Sequence, residues 1–196
     1  MSKNTEMLKS FFKVIMGNKK ETNLVIPNMY AKSIFDINYK LLKKQKYKNL
    51  IFDIDNTILP VNDINVSKEL VPFFKQIGKD FNICIVSNNN KERVLPVAKA
   101  LETGYMYNAG KPKKEAFDKA LSLLNSSKEN TVMIGDQMLS DIKGANQYGL
   151  YTVMVDPVSN KHDIKTGTSR VLQKIIMKKF AKKGIFKEKK YYDRKW

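Results

Sequence analysis

Three polar clusters, each directly behind an apolar run, hold the residues that could do chemistry: Asp53-Ile54-Asp55-Asn56-Thr57, Ser87-Asn88-Asn89-Asn90, and Gly135-Asp136 with Asp141 five positions further on. A lysine, Lys111, stands just before Pro112. Clustered carboxylates repel one another and would repel a phosphate, so they need a hard cation. A small set of oxygen ligands completed by water and phosphate is what Mg²⁺ takes. Asp53 can then attack phosphorus and form an acyl phosphate, which divides one hard hydrolysis into two easier displacements. Asp55, two residues on, is placed to protonate the leaving oxygen and afterwards to activate the water. Ser87, Asn88 and Lys111 are the candidates for binding the phosphoryl oxygens, where charge builds up in the transition state. Taken alone, Asp53 and Asp55 could as well cap a turn after a strand. The ordered set favours phosphoryl transfer.

Such clusters meet only if the chain points them the same way. Apolar runs ending at Phe52 and spanning 81–86, 105–107, 131–134 and 151–155 read as strands. Between them lie amphipathic stretches over 69–79, 91–102, 113–124 and 138–147, the third opened by Pro112 and the last closed by Gly149. This alternation predicts an α/β fold, a Rossmann-like three-layer sandwich with a mainly parallel sheet, whose ligands bind beyond the carboxyl ends of the strands.

The run Ile51-Phe52-Asp53-Ile54-Asp55-Asn56-Thr57 resembles the DxDxT motif of the haloacid dehalogenase (HAD) superfamily, and Ser87, Lys111 and Gly135-Asp136 with Asp141 resemble its second, third and fourth motifs in order. The resemblance implies that Asp53 is nucleophile and metal ligand. It makes Asp55 the acid/base that also gives the metal its backbone carbonyl, and Asp136 the remaining protein ligand. Asp141 and Thr57 would support the centre, Lys111 would bridge Asp53 and the phosphate, and Mg²⁺ would be the cofactor. An Asp rather than Thr at position 55 favours hydrolysis over ATP-pump chemistry. A narrower resemblance runs through Asn28–Ile37, Val86–Asn90, Gly110-Lys111-Pro112 and Ile134–Gln137. These phrases are similar to the YqeG-type subfamily of class IIIA, itself similar to the mitochondrial phosphatidylglycerophosphatases, which act on a phosphate monoester at a membrane surface.

Asp53 and Ser87 are 34 positions apart and Lys111 and Asp136 are 25 apart, spans mostly filled by the expected helices. No sizeable cap domain fits. An uncapped site relies on a macromolecule, a headgroup at a bilayer or an added partner to exclude water.

Charge is distributed unevenly. The chain's net charge is +17, of which residues 1–50 carry +8 and residues 161–196 carry +10, while 51–160 sum to −1. The reading is therefore a basic N-terminal amphipathic extension over 1–48 packing on or beside the core, a catalytic core over 49–160, and a basic C-terminal helix and tail over 161–196. Met7, Leu8, Phe11, Phe12 and Ile15 share one helical face, as do Val171, Leu172, Ile175, Ile176 and Phe180. The tail after Gly184 reads as mobile. Because the motifs end at Asp141, removing residues 165–196 should weaken vesicle binding and turnover of a lipid phosphate while sparing a small soluble ester, and equal losses on both would make the C-terminal helix part of the core. The basic ends fit a polyanionic partner, an anionic lipid surface in the leading reading and RNA or a ribosome in the alternative, where the acidic site would be slow or regulatory. A solvated, solubilising surface is the plain alternative to both.

The single cysteine, Cys84, excludes an intramolecular disulfide and reads as a buried thiol. With no signal-peptide core and no run of membrane-spanning length, the expected place is the cytoplasm, peripheral at the inner face of the membrane. His162, Trp196, Tyr191 and Tyr192 read as surface or terminal residues, and Asp63 as part of a flap after the first strand.

Overall fold

The computed structural model describes residues 3–61, 63–159, 164–186 and 188–193. Its elements run α1 (Lys3–Ile15), α2 (Lys19–Leu24), β1 (Met29–Ala31), α3 (Tyr39–Lys44), β2 (Asn49–Phe52), α4 (Leu70–Ile77), β3 (Asn82–Val86), α5 (Lys91–Ala100), β4 (Gly104–Met106), α6 (Lys114–Leu123), β5 (Thr131–Gly135), α7 (Lys143–Tyr148), β6 (Tyr151–Val155), α8 (Ile164–Lys182) and β7 (Tyr192–Asp193). The strands make one sheet of order β4-β3-β2-β5-β6-β1-β7. All neighbours are parallel except β7, which runs antiparallel to β1. After β2 the chain builds outward through β3 and β4, and then returns to add β5 on the other flank. The strand order thus reverses between β2 and β5, where open α/β sheets form their ligand crevice. Asp53 and Asp136 follow these two strands.

Helices cover both faces, as the fully buried strands β1, β2, β5 and β6 require. Period-two alternation sends neighbours to opposite layers. Leu50 and Phe52 join Phe74, Val94 and Val97 on one side, whereas Ile51 joins Cys84, Phe117 and Leu121 on the other. The fold is the expected Rossmann-like sandwich. Between Asp53 and Ser87 the described residues form one helix, α4, and no folded unit that would act as a cap.

The two ends differ from the sequence reading. Residues 1–48 include β1, and the lysine-rich tail supplies β7, so both segments complete the sheet. Tyr30, Phe186, Tyr191 and Tyr192 form an aromatic group, with Phe186 buried and the Tyr191 hydroxyl donating to Asp156 at 2.7 Å. Burial of Tyr30 and Phe186 and the ring contacts of Tyr191 and Tyr192 order a segment whose charge alone suggested mobility. His162 and Trp196 lie outside the described residues. Helix α6 begins at Lys114, after Pro112 and not on it. The stretch expected as one helix over 138–147 is a wide π turn, Met138–Ile142, followed by α7.

Candidate active site

Asp53 continues the β2–β5 ladder, its N–H donating to the Ile134 carbonyl at 3.0 Å. The chain then turns tightly on Ile54, whose carbonyl accepts from the N–H groups of Thr57, Ile58 and Leu59 at 3.1, 2.9 and 3.1 Å. Asn56 takes the left-handed conformation in this turn, with φ of 62°. Asparagine tolerates that region better than most side chains. The turn folds Thr57 back toward β5, where its hydroxyl donates to Asp136 Oδ1 at 3.3 Å.

Lys111 joins the clusters. Its side chain is 1% exposed, and its ammonium lies 2.8 Å from Asp53 Oδ1 and 2.9 Å from Asp141 Oδ1. Burial alone would favour the neutral amine, but Asp141 and Asp53 outweigh it and hold the lysine above its usual range, fully charged. The Asp141 carboxyl is raised as well, by burial against the pull of Lys111. The π turn makes this arrangement possible: the N–H groups of Asp141 and Ile142 both reach the Gln137 carbonyl, and the Asp141 carboxylate accepts from the Gln137 N–H at 3.1 Å. Gly135 is needed beneath it, because a Cβ there would fall 2.5 Å from Asp141 Oδ2.

Asp53, Asp136 and Asp141, all buried, present oxygens within 4.8 Å of one another. Hard oxygens without nitrogen or sulfur match Mg²⁺. With Lys111 and Arg170 counted, the cluster of three carboxylates and two cations has a net charge of −1, so a dication would reverse its sign and let an anionic phosphate approach. The donor set fits the metal.

Asp55 lies apart from these carboxylates. Arg93 on α5 donates to its Oδ1 from Nε at 3.1 Å and from Nη2 at 2.9 Å, and the Asn89 amide donates to Oδ2. Burial, with Asp53 adding to it, raises the Asp55 carboxyl above the ordinary aspartate range against the opposing pull of Arg93. Ser87 is buried, its hydroxyl accepting from the Asn89 N–H at 3.2 Å. Asn88 has a task the sequence did not suggest. Its side chain brackets the Lys111 backbone, accepting from the N–H at 2.7 Å and donating to the carbonyl at 3.0 Å. One N–H and one lone pair of its amide are thus engaged in placing the lysine.

Sequence reasoning missed Arg93, Arg170 and Gln173. Arg170 on α8 pairs with the Asp136 carboxylate and donates to the Asp136 carbonyl at 3.2 Å. Gln173 donates to the same carbonyl at 3.1 Å and accepts from the Met138 N–H at 2.9 Å. One signal was available: of 36 basic residues only three are arginine, and two of those sit on carboxylates here. A planar fork that donates to both a carboxylate and a carbonyl is a task lysine cannot take over. Asp63 accepts from the Asn65 N–H at 2.9 Å in the loop beyond the turn. A groove of about 1170 Å³ opens beside the cluster at Pro112, Gln137 and Ser169 and runs down past Lys143 and Tyr148.

A HAD-hydrolase-like family model matches residues 108–173, which include Lys111, Asp136, Asp141 and Arg170. The chain is 32% identical to the "Probable phosphatase YqeG" of Bacillus subtilis over 91% of its own length and 96% of that protein's. It is 25% identical to the phosphatidylglycerophosphate phosphatase 1 (chloroplastic/mitochondrial) of Arabidopsis thaliana, over 85% of this chain and 51% of that one. Among solved structures, the HAD phosphatase of Thermococcus onnurineus is 14% identical and covers 60% of this chain and 90% of that one with a TM-score of 0.49. The chain belongs to the HAD superfamily of hydrolases, in the phosphatase family that includes its YqeG relative.

Proposed function

We propose that this phosphatase hydrolyses phosphomonoesters through a phospho-aspartyl intermediate on Asp53, with Mg²⁺ as cofactor and a phospholipid monoester, phosphatidylglycerophosphate, as substrate. It would work at the inner, cytoplasmic face of an anionic membrane. The observation that carries the chemistry is the Lys111 ammonium held between Asp53 and Asp141, with Asp136 in the same buried cluster. The lipid substrate rests on relatives from Arabidopsis and Chlamydomonas reinhardtii named for it, of whose lengths this chain covers 51% and 58%.

A carboxylate oxygen of Asp53 forms a bond to phosphorus while the ester P–O bond breaks, and the leaving oxygen takes the proton of Asp55. A carboxyl held above its usual range keeps that proton to higher pH than an ordinary aspartate does. Water then attacks the acyl phosphate, gives a proton back to Asp55 and releases inorganic phosphate with the Asp53 carboxylate restored. Lys111 neutralises Asp53 as nucleophile and stays beside the phosphoryl oxygens, and Ser87 offers them a hydroxyl. Asp53 and Asp136, with the Asp55 carbonyl, would hold the metal, and Thr57, Arg170 and Gln173 fix Asp136. Bound Mg²⁺ supplies positive charge that lets the phosphate enter an acidic cluster.

Phosphate release from a panel containing phosphatidylglycerophosphate, soluble sugar phosphates and an aryl phosphate tests the reading, with and without chelator. Turnover that survives exhaustive chelation rejects the metal, and preference for a soluble phosphate rejects the lipid.

A further inference from the structure

Helices α1 and α8 pack side by side. Phe11 and Val14 of the first and Leu172, Ile176 and Phe180 of the second are buried in one cluster, and the Lys179 ammonium donates to the Ile15 carbonyl. Next to these buried residues, both helices leave apolar side chains in water. On the α1 side Leu8, Phe12 and Met16 recur every fourth position and are 39%, 60% and 84% exposed. On α8 Val171 and Ile175 are 57% and 43% exposed. Residues at that spacing lie along one side of a helix, so each helix carries an uncovered apolar stripe.

The surrounding charge is mainly positive, with exposed Glu6 on α1 and Glu21, 3.8 Å from Lys13, as the acids near the α1 stripe. Lys13, Lys19, Lys20, Lys174, Lys178, Lys182 and Lys183 are exposed, and α8 contains no acidic residue. A second copy of the chain would bring its own lysines against these. RNA would satisfy the lysines but leave Phe12, Met16, Val171 and Ile175 against polar backbone. An anionic bilayer meets both demands: apolar side chains enter the boundary between headgroups and acyl chains, and lysines reach the phosphates from their flexible stems.

We propose that the stripes of α1 and α8 with their lysine border are the surface that docks this protein on anionic lipid. The inference deepens the lipid-phosphate reading and rests on it for its purpose, though its test needs no substrate. Helix α8 also turns Arg170 and Gln173 inward to Asp136, so the lipid-facing helix is the one that touches the catalytic edge.

The test is co-sedimentation of the full chain with vesicles of phosphatidylcholine alone and of phosphatidylcholine mixed with phosphatidylglycerol. Wild type should bind the mixed vesicles and leave the neutral ones. The doubly substituted Phe12→Ser, Ile175→Ser protein should bind the mixed vesicles about tenfold more weakly, because exposed apolar area drives insertion. Lys174→Glu with Lys178→Glu should weaken binding further at low salt than at high salt. Neither pair lies in the catalytic machinery, so turnover of a soluble aryl phosphate should not change. Absence of binding to mixed vesicles, equal binding by the Ser variant, or capture of RNA in place of vesicles overturns the proposal. So does a wild-type dimer that the Ser variant dissolves. Vesicle binding without hydrolysis of phosphatidylglycerophosphate would reject the proposed substrate and keep this surface. Hydrolysis of that lipid in detergent without vesicle binding would do the reverse.

Discussion

The Arg170 guanidinium, carried by the C-terminal helix, closes on the carboxylate of Asp136 at the end of β5, and both side chains are buried. Thr57 holds one oxygen of that carboxylate and Arg170 the other, so its orientation toward Asp53 is set from two sides. Breaking a buried pair by removing one partner costs about 3 kcal/mol or more, because a buried charge is left uncompensated. Arg170→Ala should therefore unfold at a lower temperature in chelator. Saturating Mg²⁺ should recover more stability in the variant than in wild type, since the dication takes up the charge that Arg170 no longer balances. Thermal unfolding of both proteins with chelator and with Mg²⁺ measures this, and equal metal responses would disprove it.

Asp53→Asn should leave the fold intact and cut phosphatase activity by several powers of ten, as for residues that act as one catalytic unit. An amide fills the same space but does not attack phosphorus. Lys111 keeps its 2.9 Å contact with Asp141 in this variant, so the buried ammonium is not stranded. Circular dichroism would confirm the fold, and wild-type turnover would refute the nucleophile.

How much of this was legible follows from where each residue sits. Asp53, Ser87 and Asp136 follow strands, and a parallel sheet brings strand ends to one edge, so apolar periodicity alone was enough to gather them. Lys111 was legible through Pro112. Arg170 was not, because its partner is 34 positions away and its own helix reads as one more basic amphipathic segment. The same basic surroundings hid β7 and the burial of Phe186, whose order comes from ring contacts with Tyr30 that no local pattern announces. The π turn was read as ordinary helix because its apolar residues still fall at helical spacing. Its widening turns Asp141 inward, and such turns recur at functional sites.

Arg93 offers a test of the acid/base assignment. Burial and Asp53 raise the Asp55 carboxyl, while Arg93 lowers it by favouring the charged form. Removing the cation in Arg93→Met should raise it further. The first displacement needs protonated Asp55, so kcat/KM falls as pH rises through that group's titration. The basic limb for the variant should accordingly move to higher pH. Profiles of kcat/KM on a soluble ester decide it, and a limb that stays put or moves down would assign the proton to another group.

Deleting residues 165–196 separates the two accounts of the C-terminus. On charge and motif position the segment is an accessory, because the motifs end at Asp141, and hydrolysis of a soluble ester should survive its loss. The structure reverses that expectation. Leu172, Ile176, Phe180 and Phe186 are buried against Phe11, Val14, Tyr30 and Met154. Four such side chains contribute roughly 6–12 kcal/mol, comparable with the whole stability of a domain. The deletion also takes Arg170 and Gln173 from Asp136, and β7 from the sheet edge. The truncated chain should lose its cooperative thermal transition, and with it turnover of soluble and lipid phosphates alike. A truncated protein with a native transition and full activity on the soluble ester would show that α8 is an appendage, and that Asp136 is held in place without Arg170.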